Sequence, residues 1–414
     1  MNLSDVDLNN LDTFERALPH DQWKILREEA PLFRHPGAPG EEDYWCVTKY
    51  DDLKLLSKSP MEYSSEARAA LPRDPDPSSL EGMRLIMLNM DPPRHRKYRE
   101  LVNKAFTPRM ISDLEVKVDR MVDDIIDNVI ERGECDFVDD LAAQLPMEVI
   151  CEMMGVPQED RRGIYDRGNQ MVGFDDPEYN PDGPLQVDGD VQQASAEMFG
   201  YAEKLKALFK NSDEKNLATA LLNAEVDGEK LSDLEFNSFF MLLAIAGNET
   251  TRTVTSNGML DLIAHPDQRD MLIHDPTLIP TAVEEILRFN PAVIAFRRTS
   301  MVDQDLRDTE IKEGDKMIMW YPAVNRDDEI FADAQKFDIT RNPNPHLSFG
   351  VGEHFCLGAN LARMELQKMF GGLMRRLPDI QLAEDPRRLR SNFINGIKEM
   401  RVTFTPGQRV RPRA

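Results

Sequence analysis

One helical run of some thirty residues restricts this chain more than any other feature. Leu231-Ser232-Asp233-Leu234-Glu235 carries the S-x-x-E pattern of a capping box, and the periodicity it opens continues to Ala264, ahead of His265-Pro266. At the α-helical rise per residue the run is roughly 45 Å long, enough to cross a whole protein of this size. Its middle reads Ala246-Gly247-Asn248-Glu249-Thr250-Thr251. A Gly-Asn pair in a helix interior costs about 1 kcal/mol or more against Ala. It is either a harmless weak spot or a position kept for a reason.

Around this helix the pattern is mostly α. Leu114, Val118, Met121, Val122, Ile125, Ile126 and Val129 form one apolar stripe, and similar patterns recur near 141–155, 192–210, 217–226 and 267–290. Short alternating runs at 30–60, and later at Met317-Ile318-Met319-Trp320-Tyr321 and Phe393-Ile394, predict a minor β component with a hairpin sheet near the N-terminus. There is no repeat and no clean linker, so 1–414 reads as one domain, with 1–14 and 406–414 expected as loose tails. Residues 68–83 and 174–190, each broken by three prolines, read as long loops that are either lids or disordered.

The balance of 50 Lys+Arg against 74 Asp+Glu gives a net charge of -24. A field of that sign repels phosphate backbones and anionic lipid, so neither nucleic acid nor a membrane surface is an expected partner. The N-terminus has no basic segment followed by an apolar one, and no run reaches about 18 apolar residues. A cytoplasmic protein without a membrane anchor is expected. Cys46, Cys135, Cys151 and Cys356 form no CxxC pair and fit neither a zinc site nor a disulfide framework. Three read as small buried hydrophobes; Cys356 does not.

Cys356 lies in PHLSFGVGEHFCLGANLA, residues 345–362, where Gly350, Gly352 and Gly358 bracket it and an apolar helical pattern follows. Such a loop delivers a thiol to a helix start, where amide N–H groups and the partial positive charge favour the thiolate. A thiolate is the axial ligand an iron centre needs, and glycines let the loop pass close under a flat macrocycle. The run F-x-x-G-x-H-x-C-x-G, here Phe349, Gly352, His354, Cys356 and Gly358, resembles the haem-binding signature of the cytochrome P450 superfamily. Ala246-Gly247-Asn248-Glu249-Thr250 resembles the A-G-x-D/E-T oxygen-activating motif of the same family, and Glu285-Ile286-Leu287-Arg288 its E-x-x-R.

The resemblance covers about 15–405 and implies a mainly α fold with minor β, a long central helix bent over haem and a small sheet on the N-terminal side. It implies that Cys356 binds the iron of haem b, and that Phe349, Gly350, Gly358, Ala246 and Gly247 pack on the macrocycle. It also implies that His95, Arg99, Arg298 (or its neighbour Arg297) and His346 meet the propionates. Thr250 would bond the distal oxygen and Glu249 would feed it protons from solvent. Glu285, Arg288 and Arg341 would form a buried structural network bracing the haem loop.

The activity implied is a monooxygenase that uses O2 and electrons originating from NAD(P)H. No flavin or nicotinamide module is present, so a separate acidic ferredoxin and its reductase are the expected suppliers. Arg96, Lys97, Lys104, Arg109, Arg363, Lys368, Arg375 and Arg376 could form a basic docking patch or ordinary solvated faces. A monomer is expected. Ile86, Met87, Val172, Phe174, Leu243, Ala246, Val293, Phe296 and Ile394 are the candidate pocket lining. Being apolar, they predict a lipophilic substrate such as a steroid, terpenoid or branched lipid. Two other readings are a peroxide-dependent peroxygenase, against which the intact Glu249–Thr250 pair argues, and a non-catalytic haem-binding protein, which would need no proton relay.

Overall fold

The computed structural model describes residues 1–103, 108–181, 190–214, 216–226 and 228–411. Eight helices position the site: α1 (Arg94–Asn103), α2 (Pro108–Asp127), α3 (Gln144–Met154), α4 (Arg161–Val172), α5 (Asp190–Phe209), α6 (Asp233–Ala264), α7 (Ile279–Phe289) and α8 (Ala359–Arg376). The sequence expectation of a capped central helix holds: Ser232 accepts from the Glu235 amide, Glu235 caps back, and α6 runs 32 residues to Ala264. Helix α6 packs against α3, α4, α5, α7 and α8, so nearly every face of it is covered. The stripe predicted on α2 lies in the core with α6, α7 and α8: Leu114, Val118, Val122, Ile125 and Ile126 are all buried.

A five-stranded sheet lies at one end. Its strands are β1 (Leu32–His35), β2 (Tyr44–Val47), β3 (Tyr63–Ser64), β4 (Ala295–Ser300) and β5 (Lys316–Trp320), in spatial order β1-β2-β5-β4-β3. The predicted hairpin is β1–β2, with Phe33 opposite Cys46, and β5 runs parallel to β2 and antiparallel to β4. Met317 faces Arg298 and Met319 faces Phe296, which assigns alternate residues to opposite sides of the sheet. The run at Phe393-Ile394 is less than a strand: Ile394 makes a single bridge to Val293.

The two tails differ from expectation. Leu8, Leu11 and Phe14 are buried, and the Phe14 ring lies 6.0 Å from Trp320 and 6.1 Å from Trp23. These apolar side chains cover one face of the sheet, which would otherwise be wet. At the other end the Val410 and Arg411 amides donate to the Asp127 carboxylate at 3.0 and 2.9 Å. The loop over 68–83 is tied at its base, where the Ala70 amide donates to Asn89 Oδ1 at 2.9 Å. Of the second loop, 182–189 lie outside the described residues; 174–181 are held by Asp176, which pairs with Lys398 at 2.8 Å. Among the described residues no helix is long and apolar enough to cross a membrane.

Candidate active site

The thiol loop is a tight turn closed on itself. The Cys356 amide donates to the Phe349 carbonyl at 2.8 Å, and the Gly350 amide to Leu347 at 2.8 Å. Gly350 (φ +69°) and Gly352 (φ +80°) occupy the left-handed region, and a Cβ on Gly352 would lie 2.5 Å from the Ser57 carbonyl oxygen. Only glycine permits this path. Gly358 then opens α8. Burial pushes the Cys356 thiol up, while the Gly358 amide and the Arg99 and Arg363 guanidinium groups pull toward the thiolate. The other three cysteines are buried, and burial raises the Cys135 and Cys151 thiols to about 12.

Above the loop, α6 exposes a short window. Ala246 is exposed, and Gly247 and Thr250 half-exposed, although Ala244, Asn248, Glu249 and Thr251 beside them are buried. Thr250 Oγ1 donates to the Ala246 carbonyl at 2.8 Å, a side-chain bond of the kind that loosens and bends helices. Glu249 does not face solvent as expected. It is buried and ion-paired to Arg252, which also donates to Tyr165 Oη at 2.9 Å and Asn169 Oδ1 at 2.6 Å on α4. Glu249 Oε1 and Asn248 Oδ1 are buried without a partner among the described residues. Burial raises the Glu249 carboxyl and Arg252 opposes that rise. Arg252 escaped the sequence reading, although its i,i+3 spacing from Glu249 was visible.

Four basic groups converge beside the thiol loop. The His95 and His354 rings lie 4.1 Å apart, and Arg99 and Arg298 act electrostatically on both. Burial and these guanidinium groups hold His95 down at about 4 and His354 lower still. The nearby carboxylates are engaged elsewhere: Asp91 accepts from Ser64 and the Ser65 amide, and Glu353 pairs with Arg96. Arg298 is buried and donates only to the Arg297 carbonyl among the described residues, while His95 Nδ1 is buried with no partner. A cationic cradle with unused donors fits a ligand bearing carboxylates, as haem does.

The strand register decides between the two arginines. Arg298 shares the side of Phe296 and points into the cradle, whereas Arg297 points to the opposite side and pairs with Asp74. One expected residue is not there. His346 lies on the far side of the loop, its Nε2 3.0 Å from Glu284 Oε2, and Arg363 pairs with the same carboxylate through Oε1 at 2.7 Å. His354, present in the motif but given no role, takes the place expected for His346, because the loop turns between them.

Beneath the loop, Glu285 and Arg288 are fully buried. Glu285 accepts two bonds from Arg288, both at 2.8 Å, and one from the Asp338 amide at 2.8 Å. Arg341 Nε approaches it to 3.2 Å and Asn344 Nδ2 to 3.1 Å. Arg288 also donates to the Asn325 carbonyl at 2.9 Å, and Asn325 Oδ1 accepts the Leu347 amide at 2.8 Å. The ion pair is thus joined to the thiol loop through one residue.

The apolar candidates fall into two groups. Val172, Ile394 and Val293 pack with Phe393, whose ring is 5.8 Å from Phe296 and 6.4 Å from Phe174. Ile86, Met87 and Leu243 belong instead to the core cluster between α3, α5 and α6. The basic docking patch is largely neutralised. Arg96 pairs with Glu353, Lys368 with Glu115 and Asp119, Arg375 with Asp123 and Arg376 with Asp127. Lys104 and the Arg109 side chain lie outside the described residues.

Residues 273–378, which include the Glu285 network and the thiol loop, match the family Cytochrome P450. The chain is 41% identical to the methyl-branched lipid omega-hydroxylase of Mycobacterium tuberculosis over 419 residues, covering 97% of this chain and 95% of that one. The chain belongs to the cytochrome P450 family. This P450 is also 39% identical to the steroid C26-monooxygenase of Rhodococcus jostii, over 96% of its own length and 84% of that enzyme. It superposes on a Mycobacterium marinum cytochrome P450 in complex with pseudoionone with a TM-score of 0.88 and 35% identity, covering 95% and 97% of the two chains. It is a haem-thiolate monooxygenase of the bacterial type.

Proposed function

We propose that this P450 holds haem b through the Cys356 thiolate and hydroxylates a branched lipid or a steroid side chain near its terminus. The observation that carries the haem assignment is the pairing of a single thiol at a glycine turn, with the Gly358 amide and Arg99 acting on its sulfur, with a cradle of His95, His354, Arg99 and Arg298 that forms no ion pair among the described residues. Gly358 and α8 favour the thiolate, and Gly350, having no Cβ, would let a flat group lie close to the loop. Bound there, haem supplies the oxygen activation by which one atom of O2 enters the substrate and the other leaves as water, using two electrons and two protons.

The chain's own residues supply placement and protons. Thr250 stands on the open window of α6 and can turn its hydroxyl from the Ala246 carbonyl to the reacting oxygen. Glu249 stores the proton one residue away, and Arg252 balances its charge within the buried pair. Val172, Phe174, Val293, Phe296, Phe393 and Ile394 orient an apolar chain and exclude water. Electrons come from a separate ferredoxin and its reductase. The names of the two relatives above support oxidation of a chain end in a branched lipid or steroid.

The test is an optical titration of the ferric protein with methyl-branched fatty acids, steroids and terpenoids, followed by product analysis. A blue-shifted Soret band and a terminal alcohol are expected with the first two classes. A shift with none of them, or a mid-chain product, would contradict the substrate reading.

A further inference from the structure

A small cleft opens on the side of the sheet opposite the cationic cradle. Lys316, Ile318 and Trp320 of β5 line it, alternating with Met317 and Met319 and therefore pointing away from Phe296 and Arg298. Its rim joins Arg73 from the first long loop, Asp175 from the second and Asn392 from the C-terminal turn. These segments also border the pocket, so the cleft adjoins its outer end.

We propose that Arg73 binds the carboxylate of the substrate in this cleft, so that the preferred ligand is a free branched long-chain acid held by its head and oxidised at its far end. The inference rests on the pocket reading given above and specifies its substrate class. An apolar track links the two places. The Arg73 guanidinium lies 5.9 Å from the centre of the Phe174 ring, Phe174 lies against Phe393, and Phe393 against Phe296 on the cradle side of the sheet.

The cleft already holds a carboxylate in the required place. Asp175 is buried and ion-paired to Arg73, and apart from that pair neither of its oxygens has a hydrogen-bond partner. Burial lifts its carboxyl to about 6, so Asp175 can take a proton near neutral pH and release Arg73 at small cost. A ligand carboxylate then replaces one negative charge with another. The neighbouring cations are committed elsewhere: Lys316 to Glu41 at 3.2 Å and Asp74 at 3.1 Å, Arg297 to Asp74, and Arg390, which also acts on Asp175, to Asp12 at 2.7 Å. Unlike Lys316 and Arg297, Arg73 has its side chain partly open to solvent, and it lines the cleft, where its planar fork suits bidentate carboxylate recognition.

The experiment compares a methyl-branched fatty acid with its methyl ester by Soret titration of the haem-loaded wild type, Arg73→Gln and Asp175→Asn. Arg73→Gln is expected to weaken the acid roughly tenfold or more, the scale of lost charge-assisted hydrogen bonds, while the ester stays within about twofold. Asp175→Asn is expected to tighten the acid and leave the ester unchanged. Equal weakening of acid and ester in Arg73→Gln would mean that Arg73 only clasps the loops, and would overturn the proposal. So would an acid affinity unmoved by either substitution. Where the acid shows either of these failures, an ester that still shifts the Soret band in the wild type keeps the pocket reading intact while the cleft assignment fails; no shift with either ligand overturns both.

Discussion

Glu285, below the thiol loop, accepts bonds from Arg288, the Asp338 amide, Arg341 and Asn344, and is closed to solvent. Glu249, above it, has Arg252 as its one partner, and an oxygen with none, among the described residues. Both are buried carboxylates paired i,i+3 on a helix. The first is satisfied on both oxygens and fixed, as suits a brace. The second keeps a free lone pair beside a helix window, as suits a group that must accept and release a proton. Local chemistry at the two carboxylates is the same, and their different duties come from how many donors the tertiary structure brings to each.

Breaking the brace should have the largest effect. Glu285→Ala leaves Arg288 charged and unpaired in the core, and is expected to cost about 3–5 kcal/mol and to lower haem retention. Chemical denaturation and haem content measure both; a stable, fully loaded variant would erase the contrast. On the other carboxylate's side, Thr250→Ala should leave folding intact and divert oxygen to peroxide, read as less product per NADH consumed. Unchanged coupling would remove Thr250 from proton delivery.

A smaller effect separates the two histidines. His354→Ala should weaken haem binding, because it removes one of the cradle's donors. His346→Ala should leave haem affinity near wild type, since His346 meets Glu284, the Ser348 amide and the Phe349 ring, and not the cradle. Equal effects would contradict the assignment.

The smallest effect concerns an exception on the proximal side. Glu365 of α8 is fully buried with an unpartnered oxygen, and burial raises its carboxyl to about 8 from an ordinary 4.5. Between those values the unfolded chain gives up this proton and the folded protein keeps it, so Glu365 makes stability fall as pH rises. Glu365→Gln should flatten that decline, seen as a higher melting temperature at pH 8 and little change at pH 4. A variant that melts lower at pH 8 would place an unseen partner on Glu365.

The central helix was legible because its determinants are local: the Ser232–Glu235 box, a 3.6-residue period and the stop at His265-Pro266. The glycine turn at Cys356 was legible for the same reason. Residues joined only in space were not. Arg341 was reached through family resemblance, because nothing in a 56-residue separation from Glu285 announces a contact. Choosing Arg298 over Arg297 required the pairing of β4 with β5, which sets the side each faces. His346 was misplaced because both histidines flank the same turn, and only its φ angles send His354 toward His95. The buried N-terminal residues were missed because their partners, Trp23 and Trp320, come together only in the folded sheet.

The most direct measurement is the absorption spectrum of the reduced protein under carbon monoxide, wild type beside Cys356→Ser. Thiolate ligation by Cys356 predicts the strongly red-shifted Soret band of a haem-thiolate protein in the wild type and its loss in the variant. A variant that binds haem and keeps that band would show that the iron is held by another residue.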